Sequence, residues 1–214
     1  MEINWYGHSC FRLSERGKAS VVTDPYDHKE IGYSSYKLKA DIVTVSKDEA
    51  GHNNLSAVKG SPYQITGPGE FEIGGVFITG IQTNGKKKKK EDELRNNLFV
   101  IDYDGLTIAH LGELNRIPSQ TEVEALGHVN IALVPVGGES SMNAAKASEV
   151  ISLLEPNIVI PMHYQTPDVN VKLDPLNKFL KEMGLVEVET LPILKVNNVS
   201  SLPEETRVIV LDYK

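Results

Sequence analysis

Apolar and polar positions alternate from the first residues of the chain. Glu2 to Gly7 and Cys10 to Leu13 read as strands, a polar turn follows over Glu15-Arg16-Gly17-Lys18, and Ala19 to Thr23 completes a hairpin. Asp24-Pro25 ends that ladder, because proline has no N–H to donate. Ile42 to Val45 is a short apolar run bounded by polar residues, the pattern of a buried strand. Gly67-Pro68-Gly69 punctuates the chain, and Phe71 to Gln82 gives two strands broken at Gly74-Gly75. Leu98–Tyr103 and Leu106–Leu111 flank Asp104-Gly105, a strong hairpin turn.

The second half changes period. Ser119 to Leu126 predicts a helix, with Ser119 as N-cap and Glu122 completing a capping box. Ile131 to Val136 is a buried strand, Ala144 to Leu154 a helix, and Ile158 to Ile160 a strand after Pro156. Pro175 to Met183 is a helix ended by Gly184, and Leu191–Val196 and Arg207–Leu211 are closing strands. A strand-rich half followed by strand–helix units predicts two packed sheets with helices outside, in one domain spanning 1–214. The charged stretch Lys86–Lys90, followed by Glu91-Asp92-Glu93, reads as a solvated loop and a candidate for local disorder.

Composition narrows the function. A formal charge of −7 disfavours nucleic acid as a partner. The five lysines do not reverse this, since three acids follow them and no aromatic residues interleave. One cysteine, Cys10, rules out an intramolecular disulfide, and no basic-then-apolar leader or membrane-length apolar run is visible; together these predict a cytoplasmic protein with no membrane partner. His8 and Cys10 share strand parity, which allows a Cys–His pair but favours a buried structural cysteine. Glu70 and Glu72 offer a paired-carboxylate alternative to ordinary strand positions. Gly137-Gly138 is open to two readings, close approach to an anion or a tight turn.

An ordered set of motifs resembles the metallo-β-lactamase superfamily, its small zinc-dependent hydrolase branch related to ascorbate-phosphate lactonases in particular. The set comprises Gly7-His8-Ser9-Cys10-Phe11, Thr23-Asp24-Pro25, Gly67-Pro68-Gly69-Glu70-Phe71-Glu72-Ile73, Arg95-Asn96-Asn97 (where the family has R-G-N), His110-Leu111-Gly112-Glu113-Leu114, Val134-Pro135-Val136-Gly137-Gly138 and Ile160-Pro161-Met162-His163-Tyr164. The resemblance implies an α/β fold, a four-layer αββα sandwich with the site on loops at one edge of the sheets. It also implies two metal ions, held by an H-x-H-x-D-H turn, a later histidine, a bridging aspartate and a last histidine.

This chain departs from that pattern. Lys47, Glu49 and Gly51 stand at the first three ligand positions and His52 alone remains; Gly80 to Gly85 contains no histidine, Glu113 stands at the bridging position, and His163 at the last. An ammonium repels a cation and glycine has no side chain, so the first metal site is expected to be lost. Two readings stay open. One zinc, iron or manganese ion is held by His52, His163 and Glu113 with Glu49, serving hydrolysis of a small ester, lactone or phosphoester. Alternatively, Lys47 replaces the metal charge, no ion is bound, and the pocket takes a small ligand or a protein partner. His8, Asp24, Asp48 and His110 are expected around the pocket, Asp24 orienting a ligand histidine. Relatives often assemble, so a homo-oligomer is a further expectation.

Overall fold

The computed structural model describes residues 1–83 and 95–214. Two sheets face each other. The first has the strand order Leu194–Lys195, Glu2–Trp5, Phe11–Ser14, Val21–Thr23, Ile42–Thr44, Tyr63–Ile65. The second runs Glu189–Leu191, Arg207–Leu211, Ile158–Met162, Ile131–Pro135, Leu106–His110, Asn96–Tyr103, Val76–Thr83, Gly69–Ile73. Helices Gln120–Leu126, Ala144–Leu154 and Leu176–Glu182 accompany the second sheet's strand–helix units. Strands Ile131–Pro135 and Ile158–Met162 are buried throughout, as parallel strands covered on both faces must be.

The core lies between the sheets. Ile3, Trp5, Phe11 and Leu13 from the first sheet join Ile78, Leu98, Phe99, Ile101 and Ile108 from the second, all essentially inaccessible. Burying side chains of this size contributes roughly 1.5–3 kcal/mol each, which is why the alternation in the first hundred residues was legible. A smaller cluster on the outer side of the first sheet collects Cys10, Val22, Tyr26, Tyr33 and Val43.

Local chemistry accounts for most boundaries. The Ser119 hydroxyl accepts from the Glu122 N–H, and the Glu122 carboxylate accepts from the Ser119 N–H at 2.7 Å, so the predicted capping box forms. Asp104 and Gly105, at φ 54° and 88°, make the tight hairpin turn. Two expectations need correction. Leu191 to Val196 is not one strand: Glu189–Leu191 pairs in the second sheet and Leu194–Lys195 in the first, with Pro192 interrupting the ladder as the chain crosses over. Pro175 caps its helix from outside rather than lying in the first turn. Tyr63–Ile65, an added edge strand beside Ile42–Thr44, was not anticipated. The lysine run and its three acids lie outside the described residues. Among the described residues no helix is long and apolar enough to cross a membrane.

Candidate metal centre

Five strands deliver the site. Val21–Thr23 runs parallel to Ile42–Thr44, and Leu106–His110, Ile131–Pro135 and Ile158–Met162 run parallel to one another. Each set emits its loops from one edge. Asp24 follows the first of these strands, Lys47 to His52 the second, Glu113 the third, Ser140 the fourth and His163 the fifth. His8 joins them from the turn between Glu2–Trp5 and Phe11–Ser14, closed by a Cys10 N–H to Gly7 carbonyl bond. His8 is therefore not on a strand, and the parity argument pairing it with Cys10 fails. Its φ of 50° swings the ring toward the site, while Cys10 is buried with its thiol pKa pushed up by desolvation, an inert structural cysteine. His163, at φ 54°, and Asp24, at 40°, are likewise held in the left-handed region. These loops enclose a cavity of about 610 Å³.

One side of the cavity is made of imidazoles. His8, His52 and His163 are all buried and each offers a ring nitrogen within 4.8 Å of the others. Asp24 receives the Nδ1–H of His52 at 2.8 Å and is itself fixed by the Ser46 N–H at 2.7 Å and the Ser46 hydroxyl at 2.5 Å. That places His52 Nε2 on the cavity side, the arrangement in which a carboxylate sets the tautomer of a ligand histidine. Burial pushes the His8 pKa far below its ordinary value, and the neighbouring His163 and His52 push it further. Burial works against the charged form of His52 too, but the Asp24 charge and hydrogen bond outweigh it and raise its pKa. The Asp24 carboxyl is penalised by burial yet ends below the usual range, because His110, His52 and Ser46 favour its ionised form.

The other side is an ion cluster. The Lys47 ammonium donates to Glu113 Oε2 and lies 2.9 Å from Glu49 Oε2. The Ser140 hydroxyl donates to Glu113 Oε1. Glu113 also stands 3.5 Å from His163 Nε2 and 3.9 Å from His52 Nε2. Burial would raise the Glu113 pKa; the His163 hydrogen bond and the charges of His52, His163 and Lys47 more than reverse it and hold the carboxylate well below the usual range. Burial disfavours the Lys47 ammonium, and Glu113 and Glu49 overcome that, leaving its pKa raised.

Not every expected residue arrives. Asp48 is exposed and accepts from Asn53 Nδ2 at 2.7 Å, away from the cavity lining. His110 does not line the cavity but stands behind it: Nε2 lies 3.9 Å from Asp24 Oδ2 and donates to the Ser9 carbonyl at 2.9 Å, and Nδ1 accepts from the Gly112 N–H at 3.2 Å. Glu70 and Glu72 lie on the far edge strand Gly69–Ile73. Gly137 is needed for close packing, since a Cβ there would lie 2.0 Å from the His163 carbonyl oxygen; it shapes the loop rather than cradling an anion. Two contributors were missed. Ser140 has no sequence signal at all. Asn96, where the resembled pattern has glycine, accepts from the Glu113 N–H at 2.7 Å and donates to the Leu111 carbonyl, pinning the Glu113 loop.

The match to known proteins is broad. A family model described as the β-lactamase superfamily domain covers residues 2–163. The chain belongs to the metallo-β-lactamase superfamily. A UPF0173 metal-dependent hydrolase of Thermoplasma acidophilum is 27% identical over 200 residues, covering 82% of this chain and 88% of its own. A UPF0173 protein of Pyrococcus furiosus is 28% identical over 192 residues, covering 78% and 84%. Among solved structures, a Thermotoga maritima protein assigned to the Zn-dependent hydrolases of the metallo-β-lactamase superfamily superposes with a TM-score of 0.81 at 33% identity, over 100% of this chain and 99% of its own. The superfamily's αββα sandwich is the fold seen here, and its relatives named for metal-dependent hydrolysis imply a metal.

The residues present fit one ion. His8, His52 and His163 each bring a ring nitrogen within 4.8 Å of the others, and the Nδ1 atoms of His8 and His163 have no hydrogen-bond partner among the described residues. Neutral imidazoles are suitable donors for zinc, copper, iron or nickel. The Lys47 side does not fit a second ion, because an ammonium already occupies the centre of its carboxylates.

Proposed function

We propose that this protein is a metal-dependent hydrolase with a single-ion site at His8, His52 and His163, acting on a small ester, lactone or phosphoester. The observation that carries the reading is the convergence of three buried imidazoles, each with a ring nitrogen within 4.8 Å of the others. An ion bound there would supply a Lewis acid, polarising a scissile oxygen and making water more acidic. The protein's own groups divide the remaining work. Asp24 fixes the His52 ring. Lys47 holds a permanent positive charge at the wall, suited to opposing negative charge that builds up on a substrate oxygen. Glu113, kept ionised and already accepting from Lys47 and Ser140, is an anchor for that ammonium rather than a proton acceptor.

The cavity suits a small molecule in size, and the carboxylates of Glu49, Glu113 and Glu139 around it argue against a polyanionic strand as substrate. The test is metal analysis of protein purified without chelator and supplied with zinc, followed by hydrolysis assays on aryl esters, lactones and phosphodiesters. About one ion per chain and chelator-sensitive turnover are expected. A chain that takes up no ion sinks the proposal.

A specific observation favours a second reading. Lys47 sits between Glu49 and Glu113, which leaves that side of the pocket internally neutralised without metal. On this reading the protein binds a small ligand without hydrolysing it. Ligand-induced thermal shifts that persist in chelator, with no ion bound, support this reading over the first.

A further inference from the structure

Gly51 has no backbone reason to be glycine, since it is absent from the residues at positive φ. Its reason is space. A Cβ at 51 would lie 2.9 Å from His8 Nε2 and 3.5 Å from Ile31 Cδ1. The side chain missing at 51 and the ring of His8 therefore compete for one volume, directly beside His52. The rest of the His8 turn is built to keep the ring there. Its carbonyl accepts from Trp5 Nε1 at 3.1 Å and from the His163 N–H at 3.1 Å, and its ring centroid lies 4.1 Å from that of His163 and 5.3 Å from that of His52.

We propose that Gly51 and His8 are one device: the bare backbone at 51 admits the His8 ring as third ligand of a tri-histidine site that favours zinc. The inference rests on the single-ion reading above and names its ligand exchange and its metal. Three imidazoles with an open fourth position are a zinc donor set. A carboxylate at 51 would instead displace His8 and leave two imidazoles with an oxygen donor, a set more tolerant of manganese and iron. The choice of ion would then be set by a steric relation between two residues 43 positions apart in sequence, not by any contiguous motif.

The test is titration of chelator-treated protein with zinc, and separately with manganese, against a competing chromophoric chelator. Gly51→Ala adds only a methyl group, and His8→Ala removes only the ring. Each is expected to lower zinc affinity at least about tenfold, the scale on which metal-site perturbations act. The double variant H8A/G51D should regain zinc affinity to within about tenfold of wild type while narrowing the zinc-to-manganese ratio by about tenfold or more. Melting in chelator checks each fold; if Gly51→Ala is unstable, His8→Asn, which leaves position 51 untouched, carries the test. Wild-type zinc binding with unchanged affinity in Gly51→Ala and the His8 variants overturns the exchange but leaves the single-ion reading standing. Failure of wild type to bind zinc overturns both.

Discussion

On one side of the pocket, three imidazoles meet and two of their ring nitrogens have no hydrogen-bond partner among the described residues; on the other, Lys47, Glu49, Glu113 and Ser140 satisfy one another. The imidazole side keeps His52 and His163 at positions where the resembled pattern has ligands, whereas Lys47 and Glu49 replace ligands on the other. The two sides also differ in unsatisfied capacity. Neutral imidazoles leave lone pairs open to a ligand, whereas the Glu113 carboxylate already accepts from an ammonium and a hydroxyl. The histidine cluster and the Lys47 ion cluster lie side by side in one cavity.

The comparison can be broken first on the lysine side. Glu113→Ala leaves the Lys47 ammonium half-buried with Glu49 alone and Ser140 without its acceptor, and should cost about 3 kcal/mol in urea unfolding with chelator present. A cost below about 1 kcal/mol would mean that the cluster holds nothing together. Next comes the histidine side. Asp24→Asn weakens the hydrogen bond that sets the His52 tautomer and should reduce zinc affinity by roughly 10–100-fold in chelator competition. If affinity is unchanged, His52 does not depend on Asp24 for its orientation.

The pH response sharpens the contrast with a smaller effect. His8 and His110 are held neutral by burial, with pKa values below the ordinary one, so the unfolded chain binds protons below about pH 6.5 that the folded chain refuses. Each therefore subtracts stability as pH falls below that value. His52 works the other way: its raised pKa contributes stability that is fully present below about pH 6.5 and is lost as pH rises through its folded value. His8→Gln removes one acid-side loss, so the fall in Tm between about pH 7 and about pH 5, measured in chelator, should be shallower than in wild type. A slope parallel to wild type would show that His8 does not stay neutral. The smallest effect belongs to Glu49, whose side chain is 41% exposed. Glu49→Gln should cost under about 1 kcal/mol in the same urea experiment, because a solvated partner adds little to an ammonium already held by Glu113.

Much of this molecule was legible before its structure. The alternation of Glu2 to Thr23, the Asp104-Gly105 turn and the Ser119/Glu122 capping box are local signals, and each reappears in place. The ordered motifs led to the sandwich and to His52, His163, Glu113 and Lys47 as neighbours. The site's inner arrangement was less legible. Strand parity would put the side chains of His8 and Cys10 on one face, yet His8 lies in a turn whose positive φ redirects its ring. Asp48 and His110 carry the right chemistry at the right sequence distance, but Asp48 turns to solvent and His110 stands behind Asp24 rather than at the cavity. Asn96 and Ser140 are ordinary polar residues whose roles exist only through contacts with a residue tens of positions away.

The sequence by itself determined the two packed sheets with helices outside and which charged and imidazole groups the chain carries, because burial periodicity, turn chemistry and side-chain charge are properties of single residues and their near neighbours. Tertiary structure alone decided how those groups meet. That Lys47 reaches Glu113, and that the empty volume beside Gly51 is filled by the ring of His8, depends on where separate loops leave two facing sheets, and steric exclusion and ion pairing act on distances that no local pattern records.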